Sequence, residues 1–394
     1  MTENINLVVM GGFTYPCGMA GTKRVQNVIS ALRECGVSAI RVFVLRQAAK
    51  DNMLSGIHDG TPYETIMGDY FRARMLAALP LLYCKAFAAL KKAFREDHKN
   101  ILYFYGPLFF DSIVPLIYAR RLGYKLVFDV IEDYDLSKDL SVSVYQSLRC
   151  SLTIRFSKAM KNLAAGVIAI SSHLENKFRN YDQGRIPIHY LPISVDMNQF
   201  PGNPCGTGPV VSLFYAGSFT RKDGVPVLLD AFDELAERYG NIRLILTGRG
   251  DRLALQAFLE RVESSPHKDR IEYKGYLEEK DYYSLLNSVD IPCMTRVDIG
   301  FAQAGFPFKL GEFLATGKPV IASVVSDVDR FLVNGHTAML VTAGSSREIC
   351  EAVEFLVNNP ESASAIGARG REVAESAFDY KKQGRALLTF LENV

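Results

Sequence analysis

The sequence predicts an α/β protein of two domains, each built on a doubly wound parallel sheet. Its 394 residues exceed the length of one average domain. Short runs rich in Val, Ile, Leu and Phe recur in both halves, separated by segments with the i, i+3, i+4, i+7 spacing of amphipathic helices. Because these runs are continuously apolar, we expect strands that helices cover on both faces. This alternation of strand and helix is typical of parallel sheets with crossover helices.

Twelve apolar runs, six in each half, are predicted to be strands. Helical spacing is clearest at 25–32 and 228–235, and Gly36 provides a C-terminal stop for the first of these helices. The predicted strands lie at 5–10, 39–45, 101–105, 125–130, 166–170, 188–192, 210–216, 242–247, 270–274, 290–294, 319–323 and 338–341.

The boundary between the domains is predicted in a segment of poor helix and strand formers. Residues 201–209 contain three prolines and three glycines, a composition that is typical of linkers. We therefore expect domains at 1–196 and 210–377, joined by a linker at 197–209. In doubly wound sheets ligands bind beyond the carboxyl ends of the strands, so two such domains would place a ligand between them.

Composition and charge exclude several classes of protein. The chain is 48% apolar and 22% charged, which excludes disordered, collagen-like and coiled-coil proteins. Seven scattered cysteines without a C-x-x-C pair argue against disulfides or a structural zinc site and favour a reducing compartment. Residues 1–200 carry 24 Lys and Arg against 17 Asp and Glu, whereas 201–394 carry 21 against 26. This modest excess does not indicate duplex binding, but a basic first half could meet an anionic surface or ligand.

We expect a cytoplasmic protein, either soluble or peripheral to a membrane. The first residues lead directly into a strand, so no signal peptide is expected. The apolar stretch 75–90 is broken by Pro80 and Lys85 and is too short to span a bilayer. Residues 71–95 hold six cations and no acid, interleaved with apolar side chains. Such a helix can lie in an anionic membrane interface, and the alternative is a core helix with a solvated basic face.

A glycine-rich loop follows the first strand. Gly18 and Gly21 precede Lys23 and Arg24 in the first turn of the next helix. Backbone N–H groups at a helix start, together with two cations, suit a phosphate or a sugar. The loop is not G-x-G-x-x-G, and no acid ends the second strand, which argues against a dinucleotide oxidoreductase. The structural alternative is a long turn that packs helix to strand.

Two segments of the second half indicate a nucleotide-sugar site. Arg221 and Lys222 lie between a strand that ends at Gly217 and a helix, which suits a diphosphate, although a solvated loop is the alternative. Further along, a helix is predicted from about Pro307 to Gly317, after a loop at 302–306. Lys309 and Glu312 are three residues apart and share a face of this helix. Its N-terminus can hold phosphate, while a carboxylate one turn on can accept both hydroxyls of a ribose.

These motifs together resemble the family 4 retaining glycosyltransferases of the GT-B fold, along nearly the whole chain. Residues 166–174 are similar to the family's strand before the linker, and 191–200 to its I-P-N-G-V-D-x-x-x-F. L-T-G-R-G-D at 246–251 is similar to its nucleotide-side turn, and K-G-Y-L at 274–277 to the loop that borders the base. The segment 378–394 resembles the helix that crosses back to the first domain. The resemblance implies two Rossmann-like domains that face a central cleft.

The resemblance also implies an activity and a set of site residues. It implies transfer of a hexose-type sugar, with retention and without metal or cofactor, from a nucleotide-sugar donor to a glycan or lipid-linked acceptor, as in bacterial polysaccharide and glycolipid synthesis. We expect a UDP-linked donor whose diphosphate contacts Arg221, Lys222 and Lys309 and whose ribose contacts Glu312. The other predicted donor-binding residues are Gly217, Ser218, Gly248, Arg249, Tyr276, Leu277, Gly305, Phe306 and Pro307. The predicted acceptor residues are Gly18, Gly21, Lys23, Arg24 and Glu132.

Three positions depart from the family's pattern. Ala304 stands at the first position of Glu-x7-Glu, Asp223 stands where the phosphate-loop lysine precedes the glycine, and Ile131 stands at the histidine of D-V-H-E. Two alternatives therefore stay open. One is a non-catalytic nucleotide-binding scaffold, and the other is a sugar-nucleotide epimerase or hydrolase, which the cleft alone would permit.

No metal site is predicted. D-x-D occurs at 133–135 and at 327–329, but two carboxylates at this spacing arise easily by chance. The six histidines show no ligand spacing.

Overall fold

The computed structural model describes residues 4–47, 52–68, 75–136, 144–202 and 210–394, which form two compact units. The first unit comprises Met1–Pro192 and Tyr380–Val394, and the second comprises Ile193–Asp379. The division thus lies a few residues before the predicted boundary at 196, and Val195 N donates to Phe378 O at 2.7 Å within the second unit. Residues 203–209 of the predicted linker lie outside the described residues.

The strands of both units carry the apolar runs of the sequence. All twelve predicted strands are confirmed, and their ends differ from the prediction by at most two residues. The strands are β1 (Ile5–Gly11), β2 (Ala39–Gln47), β3 (Ser55–His58), β4 (Thr61–Gly68), β5 (Lys99–Tyr105), β6 (Lys125–Val130), β7 (Ala164–Ala169), β8 (Ile188–Tyr190), β9 (Val211–Gly217), β10 (Ile242–Gly248), β11 (Ile271–Tyr273), β12 (Ile291–Met294), β13 (Ile321–Val324) and β14 (Met339–Thr342).

Helices connect these strands. The α1 helix buries Val25, Val28, Ile29 and Leu32, as their spacing predicts, and the chain leaves it through Gly36 at φ 95°. The helices are α1 (Ala20–Glu34), α2 (Met75–Ala93), α3 (Phe110–Leu122), α4 (Val144–Ala159), α5 (Ser172–Asp182), α6 (Val225–Arg238), α7 (Arg252–Glu263), α8 (Glu279–Ser288), α9 (Gly300–Ala304), α10 (Phe308–Ala315), α11 (Val328–Phe331), α12 (Ser346–Asn358), α13 (Pro360–Val373) and α14 (Tyr380–Asn393).

The first unit contains a sheet of eight described strands in the order β3-β4-β2-β1-β5-β6-β7-β8. Neighbouring strands are parallel except β3 and β4, which form an antiparallel hairpin outside the predicted strands. Its turn at Asp59 and Gly60 has φ angles of 44° and 69°, which Asp-Gly turns favour. Because β3 is largely exposed at the sheet edge, it lacks the apolar run on which the strand predictions depend. Helix α14 packs against α1, so closely that a Cβ on Gly384 would lie 2.6 Å from Ala31 O.

The second unit contains a sheet of six described strands, all parallel, in the order β11-β10-β9-β12-β13-β14. Its core joins the sheet to the apolar faces of α6 and α12 through side chains such as Leu228, Phe232 and Val353, each fully buried. The doubly wound parallel architecture predicted for both halves is confirmed. It brings the carboxyl ends of the strands, and the loops that follow them, to one edge of each sheet.

Helix α2 packs its apolar stripe into the first unit. Leu82, Ala86 and Leu90 are at most 2% exposed, and Phe87 stacks on Tyr118 of α3 with ring centroids 4.1 Å apart. Its exposed side chains include Lys85, Lys91 and Lys92. In the described part of 71–95 the core-helix alternative therefore holds, and residues 71–74 lie outside the described residues. No helix within the described ranges is long and apolar enough to cross a membrane.

Candidate functional site

Three loops converge at the carboxyl edge of the second sheet. Gly217 at the end of β9 and Gly248 at the end of β10 are register partners. A Cβ at Gly248 would lie 1.9 Å from Gly217 O, and its φ of 133° also favours glycine. Gly248 N donates to Gly275 O at 2.9 Å, which ties in the loop after β11. The predicted donor-binding glycines therefore let these loops approach closely.

Asp223 organises the loop after β9. It is 6% exposed, and its Oδ2 accepts hydrogen bonds from Ser218 Oγ at 2.7 Å and from Thr220 N and Oγ1 at 3.0 and 2.7 Å. Its own carbonyl accepts from Thr295 Oγ1 at 3.2 Å. The residue that replaces the family's phosphate-loop lysine is thus a brace for the loop. The predicted donor residue Ser218 commits its hydroxyl to that brace.

The two cations of this loop lie just before α6. Arg221 is exposed, whereas Lys222 is half-buried with Nζ 5.2 Å from the centroid of the Phe301 ring. Lys222 O accepts from Val297 N at 3.3 Å, which joins the loop to the segment after β12. Phe301 was not predicted from the sequence, because an aromatic residue in a short apolar segment gives no sign of which cation it meets.

Residues 302–306 do not form the predicted loop. The short helix α9 includes the first three of them, because Ile299 O accepts from Ala302 N at 2.8 Å and from Gln303 N at 3.2 Å. Both polar atoms of the Gln303 amide have partners, because Nε2 donates to Asp298 Oδ1 at 2.8 Å and Oε1 accepts from Ser326 N at 2.7 Å. Ala304 is fully buried. The first position of the family's Glu-x7-Glu therefore faces the core in this chain.

Helix α10 presents Lys309 and Glu312 as predicted from their spacing. Lys309 Nζ lies 3.1 Å from Glu312 Oε2, and the same oxygen accepts from the Tyr282 hydroxyl of α8 at 2.7 Å. Lys309 Nζ also lies 3.9 Å from the centroid of the Tyr282 ring. Burial, reinforced by the charge of Glu312, raises the pKa of Tyr282 well above its usual range, so this hydroxyl remains a donor. Tyr282 was missed because its apolar spacing in α8 indicates only a core position.

The remaining predicted donor residues divide into an exposed pair and a set that is buried or half-buried. Arg249 Cζ lies 4.6 Å from the centroid of the exposed Tyr276 ring, a cation–π pair beside the Gly248 turn. Phe306 is 2% exposed and packs edge-to-face against Phe331 and Phe378, so its side chain belongs to the core. Of the other three, Pro307 is buried, and Gly305 and Leu277 are half-buried.

Arg24 of the first unit is a buried structural residue. It is 2% exposed, and its guanidinium donates to Asp129 from Nε at 2.6 Å and from Nη2 at 2.8 Å. It also donates to Pro192 O at 2.7 Å and to Leu191 O at 3.0 Å. Burial opposes its charge, but Asp129 outweighs burial and raises the pKa of Arg24. The prediction that Arg24 binds the acceptor is therefore corrected, because its donors face the interior.

The other predicted acceptor residues lie nearer the surface of the first unit. Lys23 is half-buried. Gly18, before α1, and Gly21, in its first turn, are closely packed, since a Cβ would lie 2.0 Å from Thr22 Oγ1 and 2.6 Å from the Tyr105 hydroxyl respectively. Glu132 lines a small open cavity at the carboxyl ends of β5 and β6.

The D-x-D motif at 133–135 borders the same cavity, and neighbouring side chains contact both of its carboxylates. Lys177 contacts both Asp133 and Asp135, His173 Nε2 lies 2.9 Å from Asp133, and the Tyr181 hydroxyl donates to Asp135 at 3.1 Å. Burial alone would raise the pKa of Asp135, but the donors from Lys177 and Tyr181 lower it. Among the described residues, no group of three His, Cys, Asp or Glu side chains is placed to hold a metal ion.

Comparison with known sequences identifies a family model and several curated relatives. Residues 211–359 match the family model of the glycosyl transferases group 1. A phosphatidyl-myo-inositol mannosyltransferase of Mycobacterium leprae is 27% identical over 44% of this chain and 44% of the relative. A GDP-mannose-dependent alpha-(1-6)-phosphatidylinositol monomannoside mannosyltransferase of Mycobacterium tuberculosis is 22% identical over 57% of this chain and 61% of the relative. The chain thus matches about half the length of these curated relatives.

Comparison with solved structures concerns the whole chain. Anabaena Alr3699/HepE in complex with UDP matches with a TM-score of 0.72 and 16% identity, over 99% of this chain and 100% of that one. Sucrose-phosphate synthase of Thermosynechococcus elongatus matches with a TM-score of 0.76 and 16% identity, over 97% of both chains. These structures have the GT-B fold, and the GT-B prediction is confirmed.

Proposed function

We propose that this chain, a GT-B protein whose residues 211–359 match the family model of the glycosyl transferases group 1, is a glycosyltransferase. It would move a hexose-type sugar from a nucleotide-sugar to a glycan or lipid-linked acceptor. The observation that carries the proposal is the pairing of Lys309 and Glu312 at the start of α10, on the sheet edge where a nucleotide would bind. The mannosyltransferase names of the mycobacterial relatives and the UDP bound to the Anabaena protein support it.

Each part of the donor has a proposed contact. Arg221, Lys222 and Lys309 would hold the diphosphate, since cations and helix N-termini favour anions. The Glu312 carboxylate would accept the ribose hydroxyls. Arg249 and Tyr276 would border the base. We propose a UDP-linked donor, and because a relative is GDP-mannose-dependent, GDP is the alternative to test.

The proposed reaction retains configuration and uses no protein nucleophile. The bond from the anomeric carbon to the diphosphate breaks, and the acceptor hydroxyl attacks the same carbon on the same face. The hydroxyl proton passes to an oxygen of the departing diphosphate. The protein contributes position and charge stabilisation, which Arg221 and Lys222 are suited to supply.

Nucleotide binding and turnover together test this proposal. UDP or GDP, and one of their hexose conjugates, should raise the melting temperature of the protein in a concentration-dependent way. Glu312→Ala, which removes a largely buried carboxylate, should abolish most of that shift, measured against the melting temperature of the folded variant without nucleotide. Transfer to acceptor should persist in EDTA, because Lys177 already occupies Asp133 and Asp135. Loss of turnover in EDTA, with recovery on addition of manganese, would contradict the metal-independent reaction.

A nucleotide-binding scaffold is the second candidate, and the burial of Ala304 favours it. The family's first glutamate commonly meets the transferred sugar, and this chain has no carboxylate at that position. A scaffold would show the same thermal shift as an enzyme but no turnover. Release of the nucleotide without an acceptor would instead indicate a hydrolase or epimerase.

We also propose peripheral contact between the first unit and anionic membranes. Because the apolar stripe of α2 packs inside the unit, the contact would be electrostatic and would use exposed Lys91, Lys92 and Arg95. The protein should sediment with vesicles that contain anionic lipid at low salt and stay in the supernatant at high salt. Reversal of these three cations to Glu should abolish sedimentation and preserve nucleotide binding. A wild-type protein that stays soluble at low salt would favour a soluble acceptor.

A further inference from the structure

Tyr282 is held in one place by the core of the second unit. It is 8% exposed on α8, and its ring lies 5.3 Å from that of Tyr283 and 6.5 Å from that of Phe214 on β9. A buried tyrosine needs a partner for its hydroxyl, which distinguishes it from a phenylalanine. That partner is Glu312 Oε2, at 2.7 Å.

The Tyr282 side chain contacts both charged residues of α10. Its hydroxyl donates to Glu312, while its ring lies beneath the Lys309 ammonium at 3.9 Å. Lys309 Nζ in turn lies 3.1 Å from the oxygen that accepts from Tyr282. The three side chains therefore form a closed triangle in which each one fixes the other two.

The two oxygens of Glu312 have different surroundings. Both contacts described above use Oε2, and the side chain of Glu312 is 13% exposed. A carboxylate whose one oxygen has two fixed donors cannot rotate without losing them. Oε1 is then presented in a fixed direction, with two lone pairs that suit neighbouring hydroxyls.

We propose that Tyr282 is a positioning residue that holds the Glu312 carboxylate against the 2′- and 3′-hydroxyls of a ribose, and that the site thereby selects ribonucleoside diphosphates over their 2′-deoxy analogues. This inference rests on the proposed function. To that function the inference adds Tyr282, which acts through Glu312 without touching the nucleotide. It also adds a preference for ribonucleotides, which depends on the Tyr282 hydroxyl. The ring keeps Lys309 in place, so the hydroxyl and the ring have separable roles.

The test compares Tyr282→Phe with the wild-type chain. Isothermal titration would give Kd for UDP, GDP, 2′-deoxy-UDP and 2′-deoxy-GDP. For whichever of UDP and GDP binds better, we expect the wild-type chain to bind the ribonucleotide with about tenfold higher affinity than its 2′-deoxy analogue, the scale of one hydrogen bond to a charged group. This affinity ratio is the quantity to compare between variants. In Tyr282→Phe that ratio should fall by about fivefold, while affinity for the deoxy analogue changes little. In a Glu312→Ala background the same substitution should leave the ratio unchanged.

Two further variants separate positioning from structure. Tyr239→Phe is the control. Tyr239 follows the last turn of α6, and its hydroxyl lies 3.4 Å from Asn358 Nδ2, so this variant should keep the wild-type ratio. If Tyr282→Phe does not fold, Lys309→Met provides the test. It removes the other donor to Glu312 Oε2, and because the Lys309 side chain is 35% exposed the variant should fold and lower the ratio as well. An equal loss of affinity for both nucleotides in Tyr282→Phe would overturn the proposal, as would a wild-type chain that binds both equally. A chain that binds no nucleotide would overturn the proposed function itself.

Discussion

Arg24→Met is expected to lower the free energy of unfolding of the first unit by about 3–5 kcal/mol. The substitution keeps an unbranched side chain of similar length but removes the charge that pairs with Asp129. That carboxylate is fully buried and would lose both guanidinium hydrogen bonds. Two carbonyl oxygens, of Leu191 and Pro192, would lose their donor as well. An unpaired charge in a low-dielectric interior is the most costly of these losses.

Urea unfolding monitored by far-UV circular dichroism and tyrosine fluorescence measures this effect, since the chain has 19 tyrosines and no tryptophan. Lys85→Met, at an exposed position of α2, is the matched control and should stay within about 0.5 kcal/mol of wild type. Combining Arg24→Met with Asp129→Leu should recover part of the loss, because it removes the unpaired charge. If Arg24→Met alone were as stable as wild type, Arg24 would not be a buried structural residue, and the prediction that it contacts the acceptor would stand again.

Lys222→Ala is expected to lower kcat by roughly 10²–10³-fold, the cost of one preorganised stabiliser of developing charge. Negative charge grows on the diphosphate as the glycosidic bond breaks, so a cation held in place contributes more to the transition state than to binding. Lys222 is held by the Phe301 ring and by a loop that Asp223 braces. Arg221 is exposed and one position further from the family's lysine, and its removal should cost less.

Steady-state kinetics with saturating donor, together with Kd for the nucleoside diphosphate, would separate the two effects. The nucleotide affinity of Lys222→Ala should change far less than its kcat. Lys280→Ala, exposed on α8, removes an equal charge from the same unit and should leave both quantities unchanged. If Arg221→Ala and Lys222→Ala both turned over normally, the loop would be a solvated turn without a catalytic role.

The sequence predicted the contacts that depend on local spacing. Lys309 and Glu312 are three apart on one helix, so their proximity follows from helix geometry alone. The apolar runs likewise predicted every strand of the second sheet, because buried parallel strands are continuously apolar.

Contacts between residues distant in sequence could not be predicted in this way. Arg24 and Asp129 are 105 residues apart, and Tyr282 and Glu312 are 30 apart. A basic residue at a helix start looks the same in sequence whether it faces a ligand or a buried carboxylate. For α2, the amphipathic pattern predicted an apolar face but not which element packs against that face. In the structure α3 packs against it.

The last helix makes the first unit discontinuous along the chain. Leu387, Leu388 and Leu391 of α14 belong to the same apolar core as β1 and α1, although the whole second unit separates them in sequence. During synthesis the second unit has all of its residues before the first unit receives its final helix. The first unit therefore cannot complete its fold before the second has been synthesised, unlike a domain of continuous sequence, which completes its fold in chain order. Until α14 leaves the ribosome, the apolar surface of α1 that it covers stays open to solvent and to chaperones.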